Sequence, residues 1–205
     1  MASTELTPVG VLCFADQVFK ARANENAPGK APRYSAMLLF DSMAVQSTAY
    51  QNLRRIVQEA AAEKFGAAKA ADPAFMRSLR LPFRPAGEKD YEGFDKGEIY
   101  ITPWSEKAPG VVDLHGNDII APTDVWSGQL ARATVRAFAY ETNGNKGVSF
   151  GLEHVQIVKQ DMPRIDGRRS ATAAFANAGT DDQMKALGID QNAPAPSSNG
   201  PAGAW

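Results

Sequence analysis

The chain has 205 residues, 44% of them hydrophobic, with 22 Lys and Arg against 23 Asp and Glu and a formal net charge of −1. That size suits one domain with an appendage, and the apolar fraction supports a packed core, which excludes a wholly disordered or fibrous chain. One cysteine and two histidines exclude an internal disulfide and a Cys/His zinc pattern, while a balanced total charge leaves open a nucleic-acid partner that meets only a local basic face.

In chain order, Met1–Glu5 lacks the charged and apolar regions of a signal peptide. No apolar run approaches the roughly 18 residues of a transmembrane helix, so a cytoplasmic protein without membrane association is expected. Val9–Phe19 and Arg33–Phe40 are β-compatible apolar runs. Between them Arg22–Pro32, with Pro28-Gly29 as a turn signal, predicts a hairpin with a long, mobile, partly basic loop carrying Lys20, Arg22, Lys30 and Arg33. Cys13 sits in the apolar run Val9–Phe14 with no histidine nearby, so it reads as a small buried hydrophobe rather than a reactive thiol.

Over Ser47–Lys64 the apolar residues Tyr50, Leu53, Ile56, Val57, Ala60 and Ala61 recur every three or four positions, which predicts an amphipathic helix ending at Gly66. Ala67–Gly97 is mixed, with a short helix expected near Pro73–Leu79 followed by Pro82, Pro85, Gly87 and Gly93. Such long excursions in a compact domain are usually functional. From Glu98 to Lys159 the pattern is β, with strands expected at Ile99–Trp104, Val111–Leu114, Val125–Tyr140 and Val148–Lys159. Asn143–Gly147 is a strong hairpin turn, because Asn and Gly tolerate positive φ. Ser170–Asn177 reads as a short helix. Gly179–Trp205 reads as a flexible tail whose Pro/Ser/Asn/Gly/Ala-rich end, Asn192–Ala204, cannot bury a core. The expected division is therefore a domain at 1–178 and a tail at 179–205.

Ala131–Tyr140 carries the most information. A strand sends alternate side chains to opposite faces. One face then holds Arg132, Thr134, Arg136, Phe138 and Tyr140, and the other Ala131, Ala133, Val135, Ala137 and Ala139. Guanidinium groups beside aromatic rings suit a single-stranded nucleic acid, since cations track phosphates and rings stack on bases. The same residues also suit packing under a loop, with the arginines paired to carboxylates. Met76–Pro85 is a second basic and aromatic stretch, in which Arg77, Arg80 and Arg84 surround Phe83, either as a clamp on a strand or as surface with Phe83 in the core. Tyr100 and Trp104 share a strand face and are open to stacking or to core packing. Lys146, at the tip of the expected hairpin, is placed to reach a phosphate.

Catalytic patterns are poor. His115 and His154 have no metal-ligand spacing, and there is no Walker A loop, G-x-S-x-G elbow or zinc pattern. Asp113, Asp118 and Asp124 suit a Mg²⁺ nuclease in principle, but scattered aspartates in turn-rich sequence are more often turn residues. No cofactor and no catalytic residue is expected.

Several stretches together resemble a known family. They are R-Y-S-A-M-L-L-F at Arg33–Phe40, Y-x-G at Tyr91–Gly93, Gly97–Trp104, P-G-V-V-D at Pro109–Asp113, V-W-S-G at Val125–Gly128 and, most specifically, Ala131–Gln156 with its G-N-K-G turn and G-L-x-x-V-Q end. From about Arg33 to Phe175 the chain resembles the phage- and prophage-encoded single-stranded-DNA-binding proteins. It departs from them at Glu141-Thr142, which precede the Asn-Gly turn, and at Asp161–Arg169, which lacks a di-glycine ending.

The resemblance implies a mainly β fold: an elaborated OB-fold, a five-stranded Greek-key barrel with one side helix, long loop insertions and a disordered C-terminal tail. It implies sequence-independent binding of single-stranded DNA in phage replication, recombination or repair, in the host-cell cytoplasm. Replication or recombination proteins are candidate partners through the tail, with Trp205 as the docking residue, and homo-oligomerisation is left open. The competing readings are a non-catalytic structural or interaction β-barrel of a phage assembly and, further off, a metal-dependent DNA-processing enzyme.

Overall fold

The computed structural model describes residues 3–23, 29, 31–89, 94, 97–142, 144–165 and 187. By internal contacts the chain divides into Met1–Gly167 and Arg168–Trp205. All elements named below lie in the first unit. The helix expected at Ser170–Asn177 and the tail Gly179–Trp205, apart from an exposed Leu187, lie outside the described residues.

The strands are β1 (Thr4–Leu6), β2 (Gly10–Cys13), β3 (Tyr34–Ser35), β4 (Met37–Phe40), β5 (Arg84–Pro85), β6 (Ile99–Ile101), β7 (Trp104–Ser105), β8 (Gly110–Val112), β9 (Leu130–Thr142) and β10 (Asn145–Lys159). The helices are α1 (Asp16–Phe19), α2 (Ser42–Gln46), α3 (Thr48–Phe65), α4 (Ala67–Ala71) and α5 (Pro73–Ser78). The fold is thus mostly β with a few helices. Its sheet runs in the order β3-β7-β10-β9-β2-β4-β6-β5, with β1 added on β9 and β8 on β10. The sheet is mixed because β7 and β8 run parallel to β10, whereas the long β9–β10 pair is antiparallel.

The helix predicted over Ser47–Lys64 is α3. The Ser47 hydroxyl caps it by accepting from the Tyr50 N–H at 3.2 Å, and Gly66, at φ +96°, ends it. Its apolar stripe, Tyr50, Leu53, Ile56, Val57 and Ala61, is buried, and the helix lies against β9, β1 and β10. The facing row of β9 is small: Ala131, Ala133, Val135 and Ala137 are each at most 3% exposed. Short side chains there leave room for the large core groups Phe40, Leu53 and Phe150. A second cluster, Cys13, Leu39, Ala86, Phe94 and Tyr100, packs separately.

Several expected strands are shorter than their apolar runs. Val9–Phe19 is strand only over β2, because Phe14 takes φ +52° and α1 follows. Ile99–Trp104 breaks into β6 and β7 around Pro103, which has no N–H to donate to a ladder. Val125–Tyr140 becomes strand only at Leu130. Before it, the buried Gln129 side chain ties the turn together, accepting from the Trp126 N–H and donating to the Asp124 and Gln160 carbonyls. Gly128, at φ +114°, completes that turn, and a Cβ there would overlap the Pro163 carbonyl. The strand β1 was not predicted, since three residues are too few to show alternation.

Candidate nucleic-acid interface

The alternation read in Ala131–Tyr140 is realised in β9. Arg132, Thr134, Phe138 and Tyr140 are half-buried and Arg136 is exposed, all opposite the buried alanine row. The register with β10 places Gln156, His154, Gly151, Ser149 and Gly147 across from Arg132, Thr134, Arg136, Phe138 and Tyr140. At the Tyr140 end, then, large side chains on β9 face glycine and serine on β10. The strip so formed, in which Tyr140 lies over Gly147 and Arg136 over Gly151, is called the trough.

Three chain segments dock in series on the far edge of β10. Arg80 bridges Gly147, with backbone bonds to Lys146 and Val148. Trp104 pairs with Gly151, and β8 pairs with His154–Gln156. Gly147 is required by this approach, because a Cβ would lie 2.5 Å from the Arg80 carbonyl oxygen and 2.7 Å from the Tyr140 hydroxyl. Trp104 lies over the trough. Its indole N–H donates to Ser149 Oγ at 3.1 Å, and its ring meets Phe138 edge-on at 5.6 Å. The Arg33 guanidinium stacks on the Trp104 ring at 3.4 Å from its centroid, a cation–π contact that fixes the guanidinium plane. Arg33 Nε is buried and finds no hydrogen-bond partner among the described residues.

The cations of the face differ in how they are held. Arg132 Nε donates to Gln156 at 2.8 Å, and Gln156 in turn donates to the carbonyls of Asp113 and Leu114. Arg136 meets Glu153 at 3.5 Å. Arg80 is exposed and has no ion-pair partner among the described residues.

Not every expected residue joins this face. Phe83 is a core ring, packed against Tyr50 at 5.2 Å and Phe150 at 5.6 Å, so it does not clamp a strand. Tyr100, at 7% exposure against Phe94, likewise offers no free ring. Both rings are taken up by packing, Phe83 between Tyr50 of α3 and Phe150 of β10 and Tyr100 against Phe94. Arg77 is exposed at the end of α5, and Arg84 is exposed on β5 at the other end of the sheet order. Lys146 pairs in register with Glu141, 3.0 Å away, and alternation turns it to the opposite face of the hairpin from Tyr140. Lys30 and Trp205 lie outside the described residues.

Sequence reasoning missed the small row Gly147, Ser149 and Gly151, although its period of two is legible in β10, and it missed the role of Arg33 as a partner of Trp104. The loop after β8 explains Asp113. Asp113 accepts from the backbone N–H groups of His115 and Asn117 and from the Asn117 amide, and these bonds, led by the amide, hold its carboxyl below the usual carboxylate range. It is a turn residue. Cys13 is buried, and burial pushes its thiol up to about 12. No helix among the described residues is long and apolar enough to cross a membrane.

The family model described as Enterobacter phage Enc34, ssDNA-binding protein, matches residues 11–185. The solved structure of the single-stranded DNA-binding protein from bacteriophage Enc34 in complex with ssDNA has a TM-score of 0.60 at 19% identity, covering 77% of this chain and 87% of that one. A second structure of that phage protein gives a TM-score of 0.59 at 18% identity, covering 83% and 88%. The single-stranded DNA binding protein gp2.5 of bacteriophage T7 gives 0.53 at 14% identity, covering 82% and 98%. At these identities the likeness is one of fold. No curated protein sequence matches.

Proposed function

The chain belongs to the family of the Enterobacter phage Enc34 single-stranded-DNA-binding protein, and we propose that it binds single-stranded DNA without sequence preference along the trough of β9 and β10. One observation carries the reading. Arg33 stacks on Trp104, Trp104 meets Phe138 edge-on, and Arg136 and Tyr140 continue the same face of β9 over Gly151 and Gly147. Rings accept bases of any sequence, and the arginines meet phosphates. No base-edge reader is needed.

The strand pairing supports an OB-type barrel. Strands β2, β4, β9 and β10 supply four of its members, and the segment Ile99–Val112 supplies the fifth, meeting β4 through β6 and β10 through β7 and β8. In such barrels the loop joining the first two strands and the hairpin joining the last two flank the ligand. Here the first carries Lys30 and Arg33 and the second carries Lys146. The protein acts without catalysis in phage DNA replication, recombination or repair in the host cytoplasm, where single strands arise. Residues 1–178 form the binding domain, and the 179–205 tail, ending in Trp205, serves protein partners.

Trp104→Leu tests the trough directly. It removes the platform under Arg33 and one stacking surface, and it should weaken oligothymidylate binding by about 1–3 kcal/mol while the melting temperature holds. Unchanged affinity in a folded variant would place the strand elsewhere.

A further inference from the structure

We propose that Glu153 is a built-in competitor for DNA, an anion that occupies Arg136 until a phosphate displaces it. The proposal rests on the reading that the β9–β10 face takes the strand. The register between β10 and β9 slips between Leu152 and His154, so Glu153 is the extra residue of a β-bulge. Alternation from Gly151 places the Glu153 carboxylate on the basic face, where one oxygen lies 3.5 Å from Arg136 Nε, and the bulge then brings His154 to the same face, opposite Thr134. Thr4 on β1, in register with Arg136, donates its hydroxyl to the same carboxylate at 3.2 Å and holds it from the far side of β9. Arg136 is 59% exposed at its side chain and Glu153 only 26%, so the acid is the anchored partner and the arginine the mobile one.

The consequence is thermodynamic. When a phosphate takes Arg136, Glu153 loses its cation and must recruit one from solution. Counterion uptake then offsets counterion release, and the salt dependence is shallower than the number of neutralised phosphates implies. The carboxylate also repels the approaching backbone, which tempers affinity and favours turnover of the bound strand.

The test is a salt titration of oligothymidylate binding by fluorescence anisotropy for the wild type, Glu153→Gln, Arg136→Ala and the double variant. Gln keeps an acceptor for the Thr4 hydroxyl, and melting temperatures check the fold. Glu153→Thr, neutral and β-favouring, is read in the same way should the Gln variant not fold. Glu153→Gln should tighten binding at low salt about two- to five-fold, the range set by one exposed ion pair. It should also steepen the salt slope by up to about 0.7. The gain should vanish in the Arg136→Ala background. Glu63→Gln, which removes an exposed carboxylate on α3, should give less. A gain of equal size with or without Arg136, or equal to that of Glu63→Gln, overturns the proposal, because the acid would then act only through total charge. No gain from Glu153→Gln in a wild type that binds DNA overturns it and leaves the trough standing. A wild type that binds no single strand overturns both.

Discussion

The residues of the trough differ in what they should do to a binding isotherm. On the proposed reading, Arg33, with its guanidinium fixed on Trp104, and Arg136, on the open face, are the groups expected to meet phosphates. Alanine at either should weaken binding to every sequence alike and flatten the salt slope, by about 0.7 for each phosphate left without its cation. Phe138→Ala and Tyr140→Ala should weaken binding with the slope unchanged, since stacking releases no counterions. A slope that moves with Tyr140 would mean the ring positions a cation instead. Lys146→Gln should matter less than either arginine, because Glu141 holds Lys146 on the other face. Cys13 gives a pH prediction. Its folded-state thiol is pushed up to about 12 by burial, whereas an unfolded cysteine titrates near about 8.5. From there up to about 12 the unfolded chain sheds a proton that the folded chain keeps, so stability falls as pH rises through that window. Chemical denaturation at pH 8 and pH 10 should show this fall, and Cys13→Ala should reduce it. At this scale the sequence was informative where side chains alternate. Arg132–Tyr140 and the burial of Cys13 were legible because periodicity and composition decide them. Phe83 and Tyr100 were not, because a ring between arginines looks alike on a loop and on a core wall.

Among the elements, α3 was legible almost to the residue, since its stripe, its Ser47 cap and its Gly66 stop are local signals. Leu53, with no exposed surface on that stripe, should cost about 2–5 kcal/mol as alanine. Ser47→Ala should cost about 1 kcal/mol by removing the cap. Thermal unfolding of both variants checks the order of these effects. The broken strands were illegible for a different reason. A buried glutamine that ties its turn to the Gln160 carbonyl, 31 residues on, acts through a partner far away in the chain. Gly147 belongs to this class. Gly147→Ala should push Arg80 off the edge of β10 and displace Tyr140, so that binding falls more than stability does. A variant with lowered melting temperature but wild-type affinity would show that the docked Arg80 segment does not shape the trough.

For the whole molecule, a net charge of −1 is silent on the local grouping of Arg33, Arg132 and Arg136, which only the folded sheet brings together. The mostly β fold and the family were accessible from the pattern of strands and from Ala131–Gln156 taken together. How the strand edges meet was not, since β7 and β8 reach β10 by parallel pairings that no local motif encodes. The central claim is that a single strand lies along this trough, held by phosphates and stacked bases without reading sequence. The most direct measurement is a salt titration of anisotropy with a labelled oligothymidylate, repeated with mixed-sequence single-stranded and duplex competitors. The account predicts log affinity falling linearly with log salt, competition by any single strand at similar concentration, and weak competition by duplex. Equal competition by duplex, or affinity indifferent to salt, would contradict it.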